Sequence, residues 1–398
     1  MNRRDKRSFS VIAEDAELVV VGTGLYGLTI AECAARQMQA KVVMLEVRRH
    51  LGGNAHSYTE ESTGVEVHAY GSHLFHTSNP AVWEYANKFT GFNDYRHSVY
   101  SLHDDSIFSL PFNLMTMSQI YGRALSPQQA RDQIAHDTEG LNLNSASNLE
   151  EKAVASVGRP IYEALIRGYT LKQWQTDPST LPPEVISRLP VRFNFDNRYF
   201  SDTWEGLPVD GYAAWLEKMA DSPNINVFLE TDFFDVRTIL PKDVPIVYTG
   251  PIDRFFEYKQ GLLSWRTLDF ELEVLAIADF QGTSVMNYAD TNVSFTRIHE
   301  FKHLHPERKN TSGTLIMREY SRFAGRQDEP YYPVNSPEDR ARLLAYREMA
   351  TNEPNVYFVG RLGSYQYLDM HMAIASALSA FRREIQPAIQ LRRGRSRY

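Results

Sequence analysis

The sequence predicts an α/β protein with a discontinuous Rossmann-like domain, an inserted helical domain and an antiparallel β-sheet domain. An apolar run at residues 17–21 leads into a glycine turn at 22–27 and then into an apolar helical stripe, and residues 41–46 form a second apolar run. This strand, turn, helix and strand order requires a parallel sheet with a right-handed crossover. Strand-to-glycine segments recur at 244–250 and 355–360, which predicts that the domain is discontinuous.

The rest of the chain divides into further domains. From about residue 82 to 168 the pattern is mostly helical, with Ser126 and Asn148 as predicted helix starts. Between 192 and 320 the pattern alternates, which favours antiparallel strands. Neither terminus has apolar periodicity. We therefore predict a dinucleotide-binding domain at 16–85, 208–258 and 353–386, a helical domain at 86–190, an antiparallel sheet domain at 191–207 and 259–352, and loose termini at 1–15 and 387–398.

Composition excludes several classes of protein. The 398 residues contain 42 Lys and Arg against 49 Asp and Glu, a net charge of −7. Such a chain lacks the basic surface of a general nucleic-acid binder, so no nucleic-acid partner is predicted. No apolar run reaches the roughly 18 residues of a membrane span, so no membrane insertion is predicted. The single cysteine, Cys33, excludes an intramolecular disulfide and favours a cytoplasmic location.

The glycine turn at 22–27 is the first candidate binding motif. Its first two glycines permit a tight turn with close approach to a pyrophosphate, and the third lets the helix pack on the strand. Glu46 ends the next strand about 20 residues on, where a carboxylate binds ribose hydroxyls. The alternative is a tight turn without a ligand and an acid on the surface. The candidate dinucleotide-binding residues are Gly22, Gly24, Leu25, Tyr26, Gly27 and Glu46.

Two further glycine turns favour FAD over NAD. Gly53 and Asn54 follow the acidic strand end directly, in a second glycine pair that many flavoproteins carry and NAD dehydrogenases generally lack. Near the C-terminus, Gly360 and Arg361 follow another strand, where a flavoprotein meets the ribityl and phosphate part of its cofactor. The alternative for each turn is an ordinary loop. Three separated glycine turns together predict one large dinucleotide.

Aromatic and basic residues mark a second candidate region. Tyr169 and Trp174 lie between chain breakers, which predicts either a lid that stacks on a planar base or aromatic rings packed under a loop. Each nearby arginine, taken alone, is expected to face solvent. Together the arginines can grip a diphosphate through planar, bidentate hydrogen bonds. These arginines are Arg188, Arg192, Arg198, Arg297, Arg318 and Arg322.

The histidines do not predict a metal site. His73 and His76 have HxxH spacing, but no cysteine or carboxylate accompanies them in a known ligand signature. His73 lies in a flexible Gly-Ser-His turn, and it is either a flavin neighbour or an ordinary loop histidine. No nucleophile elbow or P-loop appears, so the chemistry is expected to belong to the flavin.

At this point the chain resembles the bacterial UDP-galactopyranose mutases, from about residue 18 to 385. The resemblance is carried by motifs spread along the chain, and Ser72 departs from the family pattern, in which alanine is expected. The motifs are the glycine turn at 22–27, LGGNA at 51–55, YGSHLFHT at 70–77, GYTLKQW at 168–174, LPVRF at 189–193, FDNRYFSD at 195–202, DEPYYP at 328–333 and YQYLDMH at 365–371.

The resemblance implies a redox-neutral isomerase that interconverts UDP-galactopyranose and UDP-galactofuranose for galactofuranose biosynthesis. It implies reduced FAD as the active cofactor, a covalent adduct between the sugar C1 and flavin N5, and a homo-oligomer, dimer or larger. An FAD-dependent amine-oxidase-like oxidoreductase is the alternative, since it shares the architecture but consumes an electron acceptor. A non-catalytic UDP-sugar sensor is a third reading.

The resemblance also assigns site residues. Arg188 and Arg297 resemble the diphosphate-binding arginines, and Tyr169 the residue that stacks on uracil. The implied catalytic residues are His73, Arg188, Arg297, Arg361 and Asp369. The implied substrate-binding residues are Tyr169, Thr170, Trp174, Arg188, Tyr199, Arg297, Tyr320 and Tyr367. The cofactor set gains His73, Leu74, Arg361, Asp369 and Met370.

Overall fold

A computed structural model describes residues 3–186, 191–308 and 313–395. The strands are β1 Leu18–Val21, β2 Val42–Leu45, β3 Ser57–Thr59, β4 Glu66–His68, β5 Phe75–Thr77, β6 Val99–His103, β7 Ser106–Leu110, β8 Trp204–Gly206, β9 Ile225–Phe228, β10 Ile246–Tyr248, β11 Trp265–Leu275, β12 Val285–Tyr288, β13 Arg297–Glu300, β14 Thr314–Phe323, β15 Tyr332–Pro333 and β16 Val356–Phe358. The helices are α1 Arg3–Glu14, α2 Leu25–Met38, α3 Pro80–Ala86, α4 Leu114–Ile120, α5 Pro127–Asp137, α6 Leu149–Val157, α7 Arg159–Ile161, α8 Gly168–Trp174, α9 Tyr212–Ala220, α10 Phe233–Val236, α11 Ile252–Phe255, α12 Pro337–Ala350, α13 Gly360–Ser364, α14 Met370–Ala380 and α15 Gln386–Arg395.

A five-stranded parallel sheet in the order β16-β10-β1-β2-β9 forms the Rossmann-like part. Apart from Asn226 in the edge strand β9, its strands consist of apolar and aromatic residues, because helices cover both faces. Leu18 and Val20 pack into a core with α2, α9 and α14, and Val19 packs into a second core on the other face. The predicted α/β class with a discontinuous Rossmann-like domain is confirmed.

A seven-stranded sheet in the order β15-β11-β14-β13-β12-β6-β7 forms the second layer. Its long β11–β14 pair is antiparallel, as the alternating pattern predicts, but β12 pairs with β6 in parallel. Residues 99–110, which we expected within a mostly helical segment, instead form the β6–β7 hairpin. The turn contains Asp104 and Asp105 at φ 46° and 56°. Strand β6 pairs with β12, far along the chain, and with β7, and this pairing stabilises a strand that a local helical pattern does not predict.

Helices α4 to α8 surround a third apolar core. Ser126 begins α5 with a capping box, in which its side chain accepts from Gln129 N and Gln129 binds back to the Ser126 backbone. Asn148 begins α6 by accepting from Glu151 N. Both predicted helix starts are therefore confirmed. A π-helical segment, Tyr162–Arg167, joins α7 to α8 and leads into the candidate site.

The described parts of both termini, α1 and α15, are helical and packed, so the prediction that 1–15 and 387–398 are loose is wrong over these residues. Phe9 in α1 is fully buried and its ring meets Phe228 at 5.0 Å. Ile389 in α15 is also fully buried, and Arg393 bridges from α15 to Glu17. The pattern did not predict these two helices because each is mostly polar and packs against the protein through only a few apolar residues.

Among the described residues, no helix combines the length and the apolar content needed to cross a bilayer.

Candidate functional site

A cavity of about 1410 Å³ opens at the carboxyl ends of the parallel strands. Val21, Leu45 and Tyr248, which end β1, β2 and β10, line it. This edge is where open α/β sheets bind ligands. Most predicted cofactor residues lie on its wall, and Leu74 and Asp369 do not. The predicted residues lining the cavity are Gly22, Gly24, Leu25, Tyr26, Gly27, Glu46, Gly53, Asn54, His73, Gly360, Arg361 and Met370.

The glycine turn has the geometry of a dinucleotide cradle. Gly22 has φ +96°, a left-handed conformation that favours glycine. A Cβ on Gly27 would lie 2.2 Å from the Gly22 carbonyl oxygen, so α2 can begin this close to β1 only with glycine there. A Cβ on Gly24 would meet nothing within 4 Å, and Gly24 lines the cavity at the N-terminus of α2. The turn therefore leaves space and backbone N–H groups for a pyrophosphate.

Glu46 and Arg48 form the polar wall beside this turn. The Glu46 carboxylate accepts hydrogen bonds from the Thr23 backbone N–H at 2.9 Å and the Thr23 hydroxyl at 2.7 Å. Arg48 donates from Nη2 to Asn54 Oδ1 at 2.8 Å. Its Nη1 is buried and has no hydrogen-bond partner within the described ranges. A buried, unsatisfied guanidinium N–H is costly, so this atom fits a cofactor diphosphate.

Sequence reasoning missed Arg48. The available signal was its position two residues after the strand-end acid Glu46.

His73 is held at the cavity wall by two hydrogen bonds. Its Nδ1 lies 2.8 Å from the Gly71 carbonyl oxygen, and its backbone N–H donates to His68 Nδ1 at 3.0 Å. Burial lowers the pKa of His73 to about 4. The imidazole is therefore neutral at physiological pH, with Nδ1 protonated and Nε2 free to accept. The neighbouring Ser72 hydroxyl lies 2.8 Å from His299 Nδ1.

A second cluster is built around Arg297 on β13. Arg297 Nε lies 3.2 Å from Glu319 Oε1, and Glu319 Oε2 lies 3.1 Å from His299 Nε2. Burial opposes ionisation of Glu319, but the Arg297 charge and the His299 hydrogen bond prevail and lower its pKa to about 2. Burial likewise disfavours the charged guanidinium, yet Glu319 holds the pKa of Arg297 well above its ordinary value. The pair is therefore ionised, with a cation on the central strand of the seven-stranded sheet.

Helix α8 brings Tyr169 to this cation. Gly168 packs against β12's neighbour Ala289 so closely that a Cβ would lie 2.1 Å from the Ala289 carbonyl oxygen. Lys172 Nζ donates to the carbonyl oxygens of Tyr288 at 2.7 Å and Phe295 at 3.0 Å, which fastens α8 to the sheet. As a result, the Arg297 guanidinium donates to the Tyr169 hydroxyl.

Further tyrosines gather at the same place. Tyr199 and Tyr332 lie close enough to Arg297 to interact with its charge. Tyr332 stacks on Tyr367 with ring centroids 5.8 Å apart. The Arg361 guanidinium lies 5.1 Å from the Tyr367 ring centroid, and Arg361 also lines the cofactor cavity. The cluster and the cavity therefore adjoin through Arg361.

The structure does not bring every predicted substrate residue to the cluster. Tyr320 donates from its hydroxyl to Glu271 Oε2 at 2.8 Å, on the opposite face of β14 from Glu319. Tyr332 lies at the cluster instead, and sequence reasoning missed it although it lies within the quoted DEPYYP motif. Trp174 packs against the helical core, and Thr170 is buried in α8. Arg188 lies outside the described residues.

Comparisons with known proteins agree on one family. The family model described as UDP-galactopyranose mutase matches residues 164–367, and a model of NAD(P)-binding Rossmann-like domains matches residues 20–89. The chain is 40% identical to a probable UDP-galactopyranose mutase of Klebsiella pneumoniae, covering 91% of this chain and 92% of that protein. It is 37% identical to a dTDP-fucopyranose mutase of Escherichia coli, covering 91% of this chain and 96% of that protein.

A solved structure confirms the fold. The crystal structure of a reduced UDP-galactopyranose mutase superposes with a TM-score of 0.69 at 14% identity, covering 92% of this chain and 93% of that one. The resemblance found in the sequence motifs is thus confirmed by relatives that match nearly the whole chain. The chain belongs to the UDP-galactopyranose mutase family, whose members are isomerases.

Proposed function

We propose that the protein interconverts UDP-galactopyranose and UDP-galactofuranose, with reduced FAD in the cavity and the nucleotide diphosphate at the Arg297 cluster. The observation that carries the proposal is the position of Arg361, which lines the cofactor cavity and stacks on Tyr367 of the cluster. A sugar linked to a diphosphate at Arg297 can therefore lie next to the cofactor. A relative that is 40% identical carries the name of this activity.

FAD fits the cavity wall. The pyrophosphate and the ribose of a dinucleotide can be held by the open space at Gly24, by the carboxylate of Glu46 and by Arg48 Nη1, which has no partner among the described residues. Bound there in reduced form, FAD would supply the chemistry of an electron-rich N5 nitrogen, a nucleophile suited to the sugar C1. Neutral His73 places no positive charge beside the cofactor, so it does not withdraw electron density by charge.

The chain's own residues then serve the departing and returning nucleotide. Arg297 donates hydrogen bonds to the diphosphate and stabilises the negative charge that develops when the bond to C1 breaks. Tyr199, Tyr332 and Tyr367 offer hydroxyl donors around the same group. Because UDP must return to release the isomerised sugar, holding it in place raises the rate of the second half of the reaction.

Other predicted residues keep proposed roles. Tyr169 presents its ring to the uracil while Arg297 holds its hydroxyl. Thr170 and Trp174 share its helix, and Asp369 follows Tyr367 at the start of α14. Arg188 remains a proposed second diphosphate ligand, by family resemblance.

The deciding experiment measures isomerisation under reducing conditions. Purified protein with FAD and dithionite is incubated with UDP-galactofuranose, and the pyranose is quantified by chromatography. We expect conversion with reduced flavin and little with oxidised flavin. Equal conversion in air would refute the proposal, and consumption of oxygen in step with an amine substrate would favour the oxidoreductase alternative.

A second arm of the assay uses dTDP-fucofuranose, because a relative at 37% identity is named for that chemistry. We expect UDP-galactofuranose to have the higher kcat/KM. A higher kcat/KM for dTDP-fucofuranose would instead identify the dTDP-linked sugar as the substrate.

The cofactor site has its own test. Gly24→Ala adds a methyl group where the protein leaves open space at φ −64°, so the unliganded fold should tolerate it and FAD binding should weaken. Flavin fluorescence quenching measures the affinity, with Gly394→Ala in α15, also in open space, as the control. Unchanged FAD affinity in Gly24→Ala would place the pyrophosphate elsewhere.

A further inference from the structure

We propose that His76, Asp369 and His371 form a binding site for a divalent transition-metal ion of the Zn²⁺ class, at the edge of the substrate cluster. One ligand atom from each of the three side chains lies within 4.8 Å of the other two. Two imidazoles and one carboxylate are the ligand set that Zn²⁺ accepts, and three protein ligands leave a fourth position open. The HxxH spacing pairs His76 with His73, but the structure pairs it with residues almost 300 positions away.

His76 is prepared as a ligand by its neighbours. Its Nδ1 lies 2.6 Å from Asp202 Oδ2, while Ser78 donates to the other Asp202 oxygen at 2.7 Å. The His76 ring stacks on the Phe200 ring, with the two ring centroids 3.6 Å apart. A carboxylate that accepts from Nδ1–H leaves the lone pair of Nε2 free and fixes the ring, which is the usual support of a histidine metal ligand.

His371 and Asp369 lie at the start of α14 and complete the cluster. Nδ1 of His371 is buried and lacks a hydrogen-bond partner in the described parts of the chain. Its ring meets the His76 ring edge-on, at 4.7 Å between centroids. Asp369 occupies the N-cap position of α14, but its side chain accepts no capping hydrogen bond from the described backbone. A buried nitrogen without a partner is costly, and a metal ion would satisfy it.

A second group, of two carboxylates and one histidine, is not expected to bind a metal ion. Asp279, Glu300 and His303 also lie close together, but Glu300 already accepts from the Gln281 backbone N–H at 2.9 Å and from the Thr314 hydroxyl at 2.6 Å. The hydrogen bond to Glu300 raises the pKa of His303, which favours the imidazolium, a form with no lone pair for a metal. This closed ion-pair network serves as an internal control.

Occupancy of the site would inhibit the activity proposed above, and this consequence alone rests on the proposed function. Asp369 follows Tyr367 by two residues, and the Tyr367 ring adjoins Arg361 and Tyr332. An ion bound to the Asp369 carboxylate would place positive charge and bound water beside Tyr367, next to the place that the proposed function gives to the sugar. Zn²⁺ is therefore expected to inhibit isomerisation.

Calorimetric titration of the FAD-loaded protein with Zn²⁺, after removal of metals with EDTA, tests the site without any substrate. We expect one equivalent to bind per chain. His371→Gln, which nearly preserves volume, should abolish this binding, and Asp202→Asn should weaken it by about 10–100-fold. His303→Ala should bind as the unaltered protein does. Circular dichroism checks that each variant is folded.

Co²⁺ provides a second measurement that needs no variant. Its visible absorption bands are expected to report a low-coordinate site with nitrogen ligands, and to disappear when Zn²⁺ is added. Absence of one-equivalent binding, unchanged binding in His371→Gln, or loss of binding in His303→Ala would each overturn the site. Zn²⁺ that binds at this site without slowing turnover would overturn the inhibitory consequence, and absence of mutase activity would leave the calorimetric result standing.

Discussion

Glu319→Gln tests whether the buried ion pair with Arg297 organises the substrate cluster. The Glu319 side chain is 5% exposed and the Arg297 side chain is 28% exposed. Removing one partner of a fully buried pair costs about 3–5 kcal/mol, because the other charge stays buried without compensation. Since Arg297 retains some solvent contact, we expect the lower end, about 3 kcal/mol. The substitution also replaces the charged acceptor of the hydrogen bond between Glu319 Oε2 and His299 Nε2 by a neutral amide, and the His299 side chain is only 2% exposed.

The assay is urea unfolding of the FAD-free protein, with Glu271→Gln as the matched control. Glu271 lies on the neighbouring strand β11, and its Oε1 is 3.7 Å from Nη1 of Arg318. The Glu271 side chain is 58% exposed, in contrast to that of Glu319. Exposed pairs contribute about 0–1 kcal/mol, so this control should change the free energy of unfolding by less than 1 kcal/mol.

Two results would refute the reasoning about Glu319. One is a loss of stability no greater than that of the Glu271→Gln control. The other is loss of FAD binding in Glu319→Gln, because Glu319 does not line the cofactor cavity.

Three further predictions concern the cluster and its surroundings. Arg297→Ala should lower kcat/KM by about 10²–10³-fold through lost stabilisation of the departing diphosphate, and steady-state kinetics giving near-normal activity would remove Arg297 from the site. Ser72→Ala removes the 2.8 Å hydrogen bond to His299 and should cost about 1 kcal/mol in urea unfolding, and an unchanged midpoint would mean that the bond contributes nothing. Burial lowers the pKa of His97 to about 3. Between pH 6.5 and pH 3, His97 is therefore protonated in the unfolded chain and neutral in the folded chain. The free energy of unfolding should therefore fall as the pH drops from 6.5 towards 3, and His97→Gln should flatten this slope, whereas an equal slope in both proteins would contradict the assignment.

The cofactor cradle was predictable because its determinants are local. A tight turn needs glycine at fixed spacing, and the helix and strand around it follow from short apolar patterns. Gly22, Gly27 and Glu46 could therefore be identified before any fold was known. The helix starts at Ser126 and Asn148 were predictable for the same reason, since a cap forms within a few residues.

The remainder depends on contacts between distant parts of the chain. Pattern alone did not distinguish Tyr320 from Tyr332, because the face on which a strand residue lies is set by its pairing with another strand. Strand β6 likewise gains a partner, β12, from a distant part of the chain.

The amino-acid sequence by itself determined the α/β class, the glycine turn that cradles the cofactor, and the family, because each of these depends on local residue spacing or on short motifs. Only the tertiary structure decided which polar atoms are left buried without partners. Among the residues that the structure describes, Nη1 of Arg48 beside the glycine turn and Nδ1 of His371 beside His76 are examples. The physical reason is that burial and hydrogen bonding depend on all the neighbours that the fold assembles around an atom, and few of these neighbours are adjacent in the chain.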